Sequence, residues 1–95
     1  MNKIHAKLKD WLDNPAQFEE YGEASPPRDR IALVQQYIDN ASISPTSIYT
    51  GPHGSIIVEY IQGEFSFSLY FWDDDCIDLI KFKNMKVVDR LIIKE

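Results

Sequence analysis

Residues 54–72 read GSIIVEYIQGEFSFSLYFW, and the alternation of their side chains predicts a β-hairpin. Successive side chains of a strand point to opposite faces, so a period of two marks each arm of the hairpin. A two-residue turn at Gln62-Gly63 would place Tyr60 opposite Phe65. One face of this pair is then entirely apolar, and a slip of one residue would mix the two faces. The apolar face comprises Ile56, Val58, Tyr60, Phe65, Phe67, Leu69 and Phe71.

A larger sheet is predicted to extend from this hairpin to both sides. The segments SIYT, CIDLIKF and VVDRLII keep the same period, which predicts four or five mainly antiparallel strands in all. The acidic stretch FWDDDCID joins two of them. A three-residue loop at Asp73–Asp75 would place Phe71 opposite Ile77 and Trp72 opposite Cys76. We therefore interpret the three acids first as a hairpin turn.

The N-terminal part of the chain has a helical period instead. Apolar residues recur there at intervals of three and four, which predicts one helix over about residues 2–13 and another over about 27–40. Between them, residues 15–21 are typical of a short helical turn that buries Phe18 and Tyr21.

These patterns predict a single α+β domain over residues 1–95. Two N-terminal helices and a short helical turn, about 1–41, would pack on a mainly antiparallel four- or five-stranded meander sheet, about 46–95. A chain of 95 residues has room for one core, and its 44% apolar content is enough to fill that core.

The chain is expected to be cytoplasmic and not associated with a membrane. No apolar run approaches the roughly 20 residues that a spanning helix needs, and the N-terminus lacks the apolar segment of a signal peptide. The single cysteine, Cys76, excludes an internal disulfide and suits a reducing compartment.

The formal net charge is −5, and the acids are unevenly distributed. Residues 31–80 contain seven acids and no lysine or arginine. Nucleic-acid binding needs a basic surface, so nucleic acid is not the expected partner. Nucleic-acid binding remains an alternative because of the C-terminal bases Lys81, Lys83, Lys86 and Arg90.

Neither a metal nor a cofactor is predicted. Asp73, Asp75 and Asp78 have the spacing of the start of a calcium loop. Such a loop also needs glycine at its sixth position and glutamate at its twelfth, where this chain has Asp78 and Asn84. The acids are therefore interpreted as a solvated turn.

Catalysis is not predicted either. The two histidines are His5, on the first predicted helix, and His53, in the loop GPHG. The sequence has no phosphate-binding glycine loop, no CxxC pair and no GxSxG nucleophile. A small enzyme that uses His53 remains an alternative, because loop residues often carry function.

The second face of the predicted sheet carries more apolar and aromatic area than scattered exposure explains. It is predicted to include Ile57, Ile61, Tyr70, Trp72, Cys76, Ile80 and Phe82, alongside Glu59 and Asp78. Either the first helix covers this face with Trp11, or the face binds a partner. In the second case Tyr and Trp would serve as anchors, and the acids would attract a basic protein. The predicted partner-binding residues are Glu59, Tyr70, Trp72, Asp73, Asp74, Asp75 and Asp78.

The segment SPTSIYTGPHGSIIVEY resembles a pattern of small uncharacterised bacterial α+β proteins, in which a proline precedes a Gly-Ser-Ile-x-x-Glu-Trp/Tyr strand and a meander. The matching positions are Pro45, Gly54, Ser55, Ile56, Glu59 and Tyr60. This chain has His53 where the pattern has aspartate, and Tyr60 where tryptophan is commoner. The resemblance implies an α+β fold from bacterial or phage genomes, in mobile-element or toxin–antitoxin neighbourhoods.

The functional hypothesis is a non-catalytic protein-binding module of the inhibitor, immunity or antitoxin type. It would dock a basic partner through the acidic, aromatic-lined end of the sheet. The alternative is a structural homodimer, formed through the second sheet face or through the edge strand VVDRLII.

Overall fold

The sheet is a five-stranded antiparallel meander in which strands that follow one another in the chain are neighbours in space. The computed structural model describes residues 3–19, 25–73 and 76–94. Its elements are α1 (Lys3–Asp13), α2 (Ala16–Glu19), α3 (Arg28–Asn40), β1 (Ser47–Thr50), β2 (Ile56–Gln62), β3 (Phe65–Asp73), β4 (Cys76–Lys83) and β5 (Lys86–Lys94). The predicted α+β class, with two main helices, one short helical turn and a meander sheet, is confirmed.

Both long helices pack on the same face of the sheet. Helix α1 contacts α3 and β1, and α3 contacts β2 and β3. Their buried residues share one core with the sheet: Ile4, Leu8, Trp11, Phe18, Ile31, Val34, Ile38, Ile48, Ile56, Val58, Tyr60, Phe71 and Ile77. The explanation in which α1 covers the second face is therefore wrong, because the apolar stripe of α1 faces the core that α3 also fills.

Helix α2 extends this core at one end. Its Phe18 is buried and packs edge-on against Trp11, with ring centroids 6.3 Å apart. The predicted burial of Tyr21 lies outside the described residues.

A buried arginine ties α3 to the loop between β1 and β2. Arg30 donates a hydrogen bond from Nη1 to the carbonyl of Gly54 at 2.7 Å. Gly54 has φ +75°, a backbone conformation that favours glycine, and an added Cβ would lie 3.1 Å from the carbonyl oxygen of Ser25. This contact fixes where α3 begins relative to the sheet.

The turn between β2 and β3 differs from the prediction by one position. Its central residues are Gly63 and Glu64, so Tyr60 lies opposite Phe67 rather than Phe65. Gly63 has φ +65°, as a type II′ turn requires at its first central position. The pairing shifts by two residues, which leaves every side chain on its predicted face.

The pairing at the end of β3 also differs from the prediction. Phe71 does lie opposite Ile77, but Asp73 pairs with Cys76 across a β-bulge. Trp72 is the extra residue of that bulge, so the predicted pairing of Trp72 with Cys76 is wrong. Bulges re-aim a side chain while the ladder continues.

Folding stability is expected to fall above pH 10 in part because of Tyr60. Burial raises the pKa of this phenol above its ordinary value of 10.0. The unfolded chain therefore releases the proton first, so the stabilisation is complete below pH 10 and is lost as the pH rises through the folded-state pKa. Urea unfolding at pH 9 and pH 11 should show a smaller pH-dependent loss for Tyr60→Phe than for the unsubstituted protein. Equal losses in the two proteins would contradict this cause.

Candidate protein-binding face

The sheet face opposite the helices, here called the outer face, is formed by the residues that alternate with the core positions. Its members include Ser47, Tyr49, Ile57, Glu59, Ile61, Ser66, Ser68, Tyr70, Trp72, Asp78, Ile80, Phe82, Arg90 and Ile92. The described helices α1 and α3 both pack on the other side. Tyr49, Ile61, Trp72 and Ile92 remain 39–51% exposed. The outer face is thus a mixed aromatic and polar surface.

Trp72 is held in place by a ring stack and a hydrogen bond. Its indole stacks on Tyr70, with centroids 5.1 Å apart and planes 21° apart. Its Nε1 donates a hydrogen bond to Oδ2 of Asp78 at 3.1 Å. Arg90 donates from Nη2 to the same carboxylate oxygen. The bulge places Trp72 where these contacts can form.

Asp78 is consequently used within the fold. Its side chain is 3% exposed, whereas the side chain of its partner Arg90 is 60% exposed. A buried carboxylate needs such a partner, because desolvation of an unpaired charge is costly. The pair presents an arginine to solvent, and not the acid that the sequence reasoning placed in the recognition surface.

Of the other predicted acids, the structure describes Glu59 and Asp73. Glu59 is half-buried on β2, where Oε1 accepts a hydrogen bond from the Ser47 hydroxyl at 3.3 Å. Asp73 is exposed at the end of β3. Asp74 and Asp75 lie outside the described residues. The structure therefore brings together Tyr70, Trp72 and Asp78, and Glu59 shares a hollow with Tyr70.

The hollow that Glu59 and Tyr70 share lies on the outer face and is here called the serine hollow. It has a volume of about 220 Å³ and is lined by Tyr49, Glu59, Ser66, Ser68, Tyr70, Phe82 and Met85. Burial, then the charge of Glu59 and then Tyr70 raise the pKa of Tyr49. The hollow was not predicted, although the alternation FSFS at residues 65–68 places two small side chains side by side on this face.

The two edges of the sheet differ. On β1, Lys7 of α1 donates a hydrogen bond from Nζ to the carbonyl of Ile48 at 2.7 Å, so a charged side chain covers the backbone. Strand β5 forms the other edge, and its apolar side chains are 41–61% exposed: Val87, Val88, Leu91, Ile92 and Ile93. Two register irregularities between β4 and β5 disturb that edge. Irregularities of this kind weaken pairing with a further strand.

His53 lies in the turn Pro52–Gly54, where it is exposed and has φ 58°. It does not line the serine hollow. Within residues 3–19, 25–73 and 76–94, no three potential metal-binding side chains form a group. No helix in the described part of the chain is both long and apolar enough to cross a membrane.

The outer face combines stacked aromatic rings, a carboxylate paired with Arg90 and a hollow lined in part by aromatic side chains. No family model matches the chain, and neither a curated protein nor a solved structure shows significant similarity to it.

Proposed function

We propose that the protein is a non-catalytic binding module that docks a protein partner through its outer face, as inhibitor, immunity and antitoxin proteins do. One observation carries this proposal: α1 and α3 occupy the same side of the sheet, so neither lies over the stacked rings of Tyr70 and Trp72. Tyrosine and tryptophan, together with arginine, are enriched among the residues that contribute most to binding at protein interfaces. A ring already fixed by stacking also loses little entropy on binding.

The charge of the chain favours a basic partner in the cytoplasm. Among the predicted binding residues, Glu59 is half-buried and Asp73 is exposed. In the sequence, Asp74 and Asp75 directly follow Asp73. The net charge of −5 adds a long-range attraction for a cationic protein. Such attraction accelerates association more than it slows dissociation.

The steering role is tested with a partner captured from cytoplasm and identified by mass. Replacing Asp73, Asp74 and Asp75 together by Asn should lower the association rate about tenfold at low ionic strength and leave the dissociation rate nearly unchanged. Stopped-flow measurements at low and high salt provide the comparison. At high salt the charges are screened, so the association rates of the variant and the unsubstituted protein should become similar.

The matched control is Asp29→Asn with Asp39→Asn and Asp89→Asn, which removes the same charge from α3 and β5. These positions lie away from the β3–β4 turn, so the association rate should change much less. An equal slowing by both triple variants would show that only net charge matters. No slowing by either would contradict the choice of a basic partner.

A homodimer is the second candidate, and the exposed apolar side chains of β5 favour it. Met85 is 95% exposed and adjoins that strand. A second copy could cover these side chains, although the irregular register of β5 works against direct strand pairing. Sedimentation equilibrium distinguishes the two candidates: a dimer mass at micromolar concentration supports this one, and a monomer mass contradicts it.

A further inference from the structure

The serine hollow has the size of a receptor for one side chain. Ser66 and Ser68 are small, and larger residues stand around them on three strands: Tyr49 on β1, Tyr70 on β3 and Phe82 on β4. The volume of about 220 Å³ is below the roughly 300–1,000 Å³ of sites for whole small molecules. One extended side chain would therefore be the natural occupant.

The chemistry of the hollow selects a cation. Glu59 lies among the lining residues, and its Oε1 accepts a hydrogen bond from the neutral hydroxyl of Ser47 at 3.3 Å. Among the described residues, no lysine, arginine or histidine forms an ion pair with Glu59. Aromatic faces attract cations through the ring quadrupole, so a carboxylate with Tyr49, Tyr70 and Phe82 around it offers two attractions to the same positive charge.

The contrast with Asp78 supports this selection. Both carboxylates belong to the outer face, but Arg90 already neutralises Asp78. The charge of Glu59 acts on Tyr49, a lining residue of the hollow, and contributes to the raised pKa of that phenol. Glu59 thus differs from Asp78 in having no ion pair with a cationic side chain of the described residues.

The donor set fits an organic cation better than a metal ion. Calcium takes six to eight oxygen ligands, and magnesium requires a near-octahedral set. The hollow offers one carboxylate, and its other side-chain oxygens belong to serine and tyrosine hydroxyls, which are not among the usual ligands of either ion. An ammonium on a flexible apolar stem satisfies both parts of the site, because the stem packs on the rings while the charge reaches the carboxylate.

We infer that the serine hollow receives a lysine side chain of the partner, with its ammonium on Glu59 and its methylene stem between Tyr49, Tyr70 and Phe82. This inference rests on the proposed function, since the lysine belongs to the protein that docks on the outer face. Recognition of a lysine at this hollow would add specificity for a positive charge, which the apolar contact of Trp72 does not provide.

The test uses the whole protein and two small probes that differ in charge. The charged probe is Nα-acetyl-lysine amide, whose side chain ends in an ammonium group. The neutral probe is Nα,Nε-diacetyl-lysine amide, in which the side-chain nitrogen is acetylated and uncharged. NMR titration should show the ring signals of Tyr49, Tyr70 and Phe82 shifting and saturating in the millimolar range with the first probe only. Equal shifts with the neutral probe, or shifts confined to other residues, would overturn the inference. Tighter binding of N-acetyl-arginine amide would overturn the assignment to lysine.

Two variants and one control variant locate the site. Glu59→Gln should lower the affinity for the charged probe at least fivefold. Glu64→Gln, which removes an equal charge at the exposed β2–β3 turn, should leave that affinity unchanged. Ser66→Leu should fill the hollow and abolish binding while Glu59 keeps its charge. If Ser66→Leu does not fold, the pair of glutamine variants still decides the outcome, because equal affinities for both would contradict the role of Glu59.

The result also separates this inference from the proposed function. If the captured partner perturbs Trp72 but is insensitive to Glu59→Gln, the outer face binds the partner and the lysine receptor is wrong. If the lysine probe binds the hollow but the partner leaves Trp72 unperturbed, the hollow is a cation site and the docking proposal is wrong.

Discussion

Phe71→Ala is expected to lower the free energy of unfolding by about 3–5 kcal/mol, the largest stability effect that we predict for a single substitution. Phe71 is fully buried and lies in the ladder between Ile56 of β2 and Ile77 of β4. Its ring also meets Tyr37 of α3 edge-on, with centroids 5.4 Å apart. Removing it opens a cavity where the sheet and the helix layer meet. Domains of this size are typically stable by about 5–15 kcal/mol, so much of the stability would be lost.

Phe65→Ala is the matched control, because it deletes the same side chain from the other end of β3. Phe65 is half-buried, and Lys81 lies over its ring at 4.6 Å from the centroid. The truncation should cost less than half as much, since solvent can fill the space. Urea denaturation followed by circular dichroism measures both. Similar costs at the two positions would show that the core does not centre on Phe71.

Trp72→Ala is expected to weaken partner binding by at least about 30-fold, which corresponds to about 2 kcal/mol. The indole is 39% exposed on the outer face and is fixed in position by Tyr70 and Asp78. The fold should persist, because Asp78 keeps its ion pair with Arg90. Isothermal titration with the captured partner measures the loss, and an unchanged unfolding midpoint confirms that the variant is folded.

Ile43→Ala provides the comparison for this substitution. Ile43 is a similarly exposed apolar residue, at 44%, but it follows α3 on the helix side of the molecule. Its truncation should change affinity by less than threefold. A larger loss for Ile43→Ala than for Trp72→Ala would place the interface on the helix side.

The fold was largely predictable because period-two alternation assigns each residue to a face without fixing its exact neighbour. The observed β2–β3 pairing differs from the prediction by two residues, yet Tyr60, predicted to lie opposite Phe65, meets Phe67 on the same core side. The side on which α1 packs could not be read from its stripe of Ile4, Leu8 and Trp11. That stripe fits either face of the sheet, and only the shared core with α3 decides between them.

The candidate site was less predictable, because its contacts depend on neighbours across strands. Tyr70 and Trp72 were expected to lie together, and their spacing of two residues was sufficient for that. The burial of Asp78 requires its contact with Arg90, twelve positions further along the chain. In the sequence analysis Arg90 was only one of several C-terminal bases. The bulge at Trp72 and the irregular pairing of β5 bring these groups together, and alternation alone does not reveal a bulge.

The two tryptophans of the chain allow the most direct test of docking on the outer face. Trp11 is buried on the helix side, and Trp72 lies on the outer face. A ¹⁵N-labelled sample therefore gives two indole N–H signals, one for each side of the sheet. On addition of the captured partner, the Trp72 signal should shift or broaden while the Trp11 signal stays in place. A shift of the Trp11 signal with an unmoved Trp72 signal would contradict docking on this face.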